Sequence, residues 1–162
     1  MRPLQRFLKE KTSLAYLALL RIFLGYFFLK AGLGKVTGGF LNPPVFRDIL
    51  VEWASGNPYP WYREFLLQTV IPHSGIFSYL VATAEMGVGL CLLLGLMTRL
   101  AAGVGIFLNL NFYLGGGWRS PAAAGINEVF VVCQIVILFA AAGRSLGLDA
   151  YLHRRLPRVP LW

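Results

Sequence analysis

Between Thr12 and Ala142 the chain alternates between long apolar runs and short polar breaks, and the spacing of those breaks predicts its elements. Apolar runs over about 12–34, 77–97, 100–114 and 122–142 predict four helices that cross a hydrocarbon core of roughly 30 Å, the third of them on the short side. Thr12 and Ser13 are placed to cap the first, while Gly32 and Gly34 loosen its end. Thr98-Arg99 leaves room only for a hairpin between the second and third helices, and Gly115-Gly116-Gly117 breaks the third.

The segment 35–75 reads differently. Val45, Phe46, Ile49, Leu50 and Trp53 share one helical face opposite Arg47, Asp48 and Glu52, and Trp61, Phe65, Leu66 and Val70 repeat the pattern opposite Arg63, Glu64 and Gln68. Both predict short amphipathic helices on the bilayer surface, with Trp53, Trp61 and Tyr62 at headgroup level. The expected fold is therefore an all-α integral membrane four-helix bundle, one domain over 1–162, with two surface helices between its first and second spans.

Composition agrees: 57% of the residues are hydrophobic and 14% charged, with a mean hydropathy of +0.63. The net charge of +8 comes from residues that flank apolar segments, which fits anionic lipid as the partner and excludes nucleic acid. The leader with Arg2, Arg6, Lys9 and Lys11 resembles the start of a signal peptide, but Arg21 and Lys30 interrupt the apolar run behind it, so an uncleaved helix is expected. Nine basic residues (Arg2, Arg6, Lys9, Lys11, Arg99, Arg144, Arg154, Arg155, Arg158) fall on one side, against Lys35, Arg47, Arg63 and Arg119 on the other. By the positive-inside rule both termini are cytoplasmic and the 35–75 segment faces out.

Glu85 stands near the middle of the second span, and an ionisable group at that depth calls for a buried partner, a ligand or a proton path. At 1.5 Å per residue Arg21 lies about 14 Å and Glu85 about 18 Å from the inner helix ends, with Asn109, Asn111 and Gln134 at about 14–17 Å. This predicts an Arg21–Glu85 pair as the catalytic centre, with Asn109, Asn111 and Gln134 as cofactor-binding groups or as plain interhelical fasteners. Lys30, higher up, is free to snorkel. Arg63 and Arg119 are the outer cations available to an anionic substrate. His73 and His153 lie outside the spans, so neither haem nor metal is expected. Cys91 and Cys133 read as packing residues, Gly87/Cys91 and Ala101/Gly105 as small-residue contact pairs, and Asn127 with Glu128 as the opening of the fourth helix.

Leu20-Arg21-Ile22-Phe23-Leu24-Gly25, Ala84-Glu85-Met86-Gly87-Val88-Gly89-Leu90, Leu94-Gly95-Leu96-Met97-Thr98-Arg99 and Ala142-Gly143-Arg144-Ser145-Leu146-Gly147-Leu148-Asp149 together resemble the DoxX family of four-helix membrane proteins. Trp61-Tyr62-Arg63-Glu64-Phe65 and Asn109-Leu110-Asn111-Phe112-Tyr113 resemble its DoxD-like branch, the small membrane subunit of thiosulfate:quinone oxidoreductase. The resemblance implies a DoxA-like second subunit and transfer of electrons from thiosulfate to a quinone of the cytoplasmic membrane. A non-catalytic anchor or assembly subunit, a small-molecule or lipid-binding membrane protein, and a homo-oligomer are the alternatives compatible with the residues alone.

Overall fold

A computed structural model describes residues 14–155. In chain order its helices are α1 (Leu14–Thr37), α2 (Pro43–Ala54), α3 (Pro60–Phe65, continued by a π turn over Leu66–Val70), α4 (Ser74–Leu94), α5 (Thr98–Gly116), α6 (Pro121–Ala140) and α7 (Asp149–Arg155). Four of them, α1, α4, α5 and α6, are long and apolar enough to cross a membrane, so the chain is an all-α, multi-pass membrane bundle. The proposed Thr12/Ser13 cap, the basic leader and Arg158 lie outside the described residues.

The bundle closes around Leu24, Phe28, Val88, Leu92, Ala102, Leu108 and Ile137, with α1 packed antiparallel along α4 and α5 along α6. Small residues set how closely the first pair approaches. A Cβ on Gly32 would sit 2.9 Å from the Met86 nitrogen, one on Gly25 would sit 2.7 Å from the Leu93 nitrogen, and one on Gly89 would run into the Leu29 backbone. The expected contact pairs differ: Gly105 does meet Gln134 and Phe28, but Gly87 faces open space. Gly95, at φ 64°, supplies the left-handed turn that ends α4, and Met97 follows at φ 47° before α5 begins.

Two boundaries differ from expectation in ways that matter. Gly32 and Gly34 do not end α1, because Gly32 is a packing position and the helix runs on to Thr37. The fourth span opens at Pro121 behind Ser120, whose hydroxyl accepts a hydrogen bond from the Ala123 N–H at 3.3 Å, so Asn127 and Glu128 lie about two turns inside it.

The short helices do not rest on lipid with their apolar faces. Phe46, Leu50, Ala54, Tyr62, Leu66 and Val70 form a second core that caps the start of α4 and the end of α5 against Phe77, Val81 and Leu114. Trp53 packs on Gly115 and Gly116, Tyr62 is buried, and Trp61 alone of the three expected interfacial rings is largely exposed. A cap that buries its hydrophobes against the bundle gains the same apolar area it would gain in lipid and covers the helices it sits on. At the other end the tail straps the α4–α5 turn, where the Leu148 and Asp149 N–H groups donate to the Leu94 and Gly95 carbonyls at 3.1 and 2.8 Å.

Candidate functional site

The α1–α4 register decides which buried charges meet. With Gly25 against Gly89 and Leu93 and Gly32 against Ala82 and Met86, the last turn of α1 brings Lys35 to Glu85 while Arg21 falls opposite Gly95. Lys35 Nζ donates to both carboxylate oxygens of Glu85, at 2.6 Å to Oε2 and 2.8 Å to Oε1. The carboxylate is almost wholly buried, and the ammonium retains partial exposure at 24% of its side chain. Phe40 and Phe112 each hold a ring 5.5 Å from Nζ, close enough for cation–π stabilisation. Glu85 lies eleven residues below Ser74, the first residue of α4, which is about 16 Å along the helix and near its midpoint.

The ion pair forms the floor of a cleft of about 200 Å³. Its walls are Phe27, Phe28 and Ala31 of α1, Asn109 and Phe112 of α5, and Ile126 and Phe130 of α6. Phe27 meets Phe130 edge-on at 5.6 Å, and exposed Phe27 and Ile126 stand at the rim, so the cleft opens between α1 and α6 at membrane depth. Asn109 uses both amide hydrogens within the fold, donating to the Gly105 carbonyl at 3.0 Å and to Gln134 Oε1 at 3.1 Å. Its carbonyl is then what Asn109 offers the cleft, an acceptor and not a donor. Gln134 is fully buried, does not line the cleft, and leaves Nε2 without a partner among the described residues.

The expected Arg21–Glu85 pair does not form. Arg21 lies fourteen residues from Lys35, about 21 Å along α1, and that helix is displaced by roughly two turns toward the Gly95 end of α4 relative to what equal helix starts would give, so Arg21 passes below Glu85 and Lys35 reaches it. Arg21 is fully buried between Gly95 and Gly147, where Nη2 donates to the Leu146 carbonyl at 3.0 Å and Nε and Nη1 have no partner among the described residues. The carboxylate of Asp149 acts on it through space and also accepts from the Met97 and Thr98 N–H groups at 2.7 and 3.0 Å, capping α5. Arg21 therefore ties the tail to the α4–α5 turn.

Asn111 faces away from the cleft. Its Nδ2 donates to the Phe107 carbonyl at 2.8 Å, and its own carbonyl accepts from the Tyr62 hydroxyl at 3.1 Å, inside a separate apolar cavity of about 110 Å³ beneath the cap. Phe112 is the wall common to both cavities. Burial pushes the Tyr62 phenol up to about 12. At the capped end Arg119 is held by Glu52 at 2.6 Å, and Arg63 lines a shallow cavity of about 330 Å³ with Asn57, Glu64 and Gln68. Lys30 is exposed along the lipid-facing side of α1, near the Tyr26 ring. Among the described residues no three His, Cys, Asp or Glu side chains come together.

Lys35 is the site residue that the sequence reading missed. It lies two heptads beyond Arg21 on the face that carries Leu24, Gly25, Phe28 and Gly32, so extending that face past Gly34 finds it.

No solved structure matches the chain. Residues 16–161 match the family described as TQO small subunit DoxD, and the chain belongs to that DoxD family of membrane subunits.

Proposed function

We propose that this chain is the quinone-binding membrane subunit of a thiosulfate:quinone oxidoreductase in a cytoplasmic membrane, with both termini on the cytoplasmic side. The observation that carries the proposal is the Lys35–Glu85 pair at the floor of an aromatic cleft that opens laterally at membrane depth. A quinone is a flat ring with two acceptor carbonyls on an apolar tail. The cleft supplies flat walls, one ammonium and an exit between α1 and α6 toward the acyl chains.

Lys35 has three N–H groups and spends two on Glu85, which leaves one to donate to a ring carbonyl. Glu85 aims the ammonium and balances its charge in a low-dielectric setting, where an uncompensated charge is costly. The Asn109 carbonyl accepts the O–H of the reduced ring, so quinone and quinol are each hydrogen-bonded, by different groups. Two thiosulfates give up one electron each and join through a new S–S bond, and the quinone takes those two electrons with two protons. Lys35 delivers the protons and is reprotonated from the outer side, as a general acid should be. Thiosulfate stays outside with the second subunit and Arg63, since Arg119 is already paired to Glu52.

Photolabelling with an azidoquinone in lipid nanodiscs, with the labelled peptides mapped, tests the site. Saturable labelling of Phe27, Ala31 or Phe130, competed by native quinone and lost in Lys35→Met, whose side chain offers no donor to a ring carbonyl, is expected. In the two-subunit complex Glu85→Gln keeps the label and loses thiosulfate-driven quinone reduction. Label that is not saturable, or that falls on other helices, overturns the proposal in favour of a non-catalytic anchor.

A further inference from the structure

The second lateral feature of the bundle lies on the groove between α5 and α6. Leu110 and Tyr113 of α5 and Asn127, Glu128, Val131 and Val132 of α6 line a groove of about 210 Å³. Of the four spans α6 is the least covered by the rest of the chain, and its exposed stripe continues below Glu128 through Val129, Val132, Val136 and Phe139. Lipid alone accounts for an apolar stripe. It does not account for Glu128.

The carboxylate sits seven residues from Pro121 on a helix of 20 residues, about 10 Å into a span of about 30 Å, and it is exposed on the outside of the bundle. Its position two turns inside α6 removes it from the helix start, where the dipole would favour a negative charge. The Tyr113 hydroxyl lies beside it, and a hydroxyl offers a hydrogen bond without a countercharge. Among the described residues neither salt bridge involves Glu128. A lipid-facing carboxylate at this depth costs on the order of 2–3 kcal/mol unless it is paired.

We propose that the α5–α6 groove is the docking site for a transmembrane helix of the second subunit, one that carries a lysine or arginine level with Glu128. The groove offers an apolar track of Leu110, Val131 and Val132, and the single carboxylate of Glu128 fixes register and orientation by charge. A second copy of this chain is the poorer occupant, because a two-fold contact centred on Glu128 would bring two carboxylates together. Membership in a family of small subunits provides the partner, and the quinone cleft lies on the other side of α6, between it and α1.

The test places a benzophenone side chain at Val132 in the full chain expressed with its second subunit in membranes, and at Leu80 on the exposed face of α4 as a control. Irradiation should join position 132 to the second subunit, through a peptide with a basic residue inside an apolar run. The Leu80 control should yield no such adduct. Glu128→Ala should lower the yield by at least about tenfold, equivalent to about 1.4 kcal/mol, and Glu128→Lys with the partner's basic residue changed to glutamate should restore it. An unchanged melting temperature and retained azidoquinone label certify that Glu128→Ala is folded, and the crosslink is read whether or not the cleft binds quinone. An adduct to a second copy, adducts to lipid alone, or a yield indifferent to Glu128 overturns the proposal.

Discussion

Replacing Lys35 with methionine strands the Glu85 carboxylate, and the structure sets the scale of the effect. Two short charge-assisted hydrogen bonds disappear from a group that is 3% exposed at its side chain. Losing one partner of a buried pair costs about 3–5 kcal/mol, and the open cleft beside Lys35 places this case near the lower figure, about 3 kcal/mol. Glu85→Leu should cost less, about 1–2 kcal/mol, because the lysine keeps two aromatic faces and can turn its head toward the cleft mouth. The double variant removes both charges and leaves an apolar contact of similar volume, so it should recover to within about 1 kcal/mol of wild type, a coupling of about 3 kcal/mol. SDS titration in bicelles, followed by tryptophan fluorescence, measures all four proteins. Single-variant effects that add to within about 0.5 kcal/mol would show that the two groups are not energetically coupled and would refute the reasoning. The folded double variant should at the same time have lost azidoquinone labelling, which separates the role of the pair in the cleft from its role in stability.

Two further outcomes follow from groups away from the cleft. Tyr62 holds its proton up to about 12 in the folded cap, whereas an unfolded tyrosine ionises near 10. Its contribution is complete below about pH 10 and is lost as pH rises from there through 12, a decline of about 2–3 kcal/mol in an alkaline unfolding series, and Tyr62→Phe should flatten that part of the curve. Arg21→Gln should loosen the tail and raise proteolysis after Leu146 without changing quinone affinity, and Asp149→Ala should do the same while costing about 1–2 kcal/mol for the lost cap of α5. Altered quinone labelling in Arg21→Gln at unchanged fold would return the arginine to the reaction.

Hydropathy was enough to locate all four spans, since a segment that must satisfy its own backbone in lipid has few alternatives to a long apolar helix. The outer helices were legible as amphipathic, but their partner was not: Phe46 and Leu50 carry the same periodicity whether they dip into acyl chains or rest on Phe77 and Val81. Glu85 and Asn109 stood out as intramembrane polar groups and do line the cleft. Depth counted from the helix starts does not give the pairing. Antiparallel register is fixed by where Gly25, Gly32 and Gly89 let two backbones close, and shifting it by two turns exchanges one cation for another. A glycine that reads as a helix breaker in water is, in a membrane span, as readily a contact surface, and treating Gly32 and Gly34 as an end hid Lys35 just beyond them.

The exchange of Arg21 for Lys35 also makes chemical sense of both ends of α1. A guanidinium does not give up its proton in a protein, which suits Arg21 to a fixed hold on the Leu146 carbonyl with the Asp149 carboxylate acting on it through space. An ammonium on a flexible stem suits proton delivery, because it can lose a proton and regain it without dismantling the packing around it. On the proposed reading the Leu146 end of the bundle has the charge that locks, and the cleft has the charge that moves a proton. If the two cations were interchangeable, Lys35→Arg would preserve thiosulfate-driven quinone reduction. With the division of labour drawn here it should keep the salt bridge and the fold, retain quinone labelling, and lose turnover by a factor of about 100 or more, the lower range of what a positioned general acid contributes. A Lys35→Arg complex that turns over at the wild-type rate would confine Lys35 to an electrostatic role.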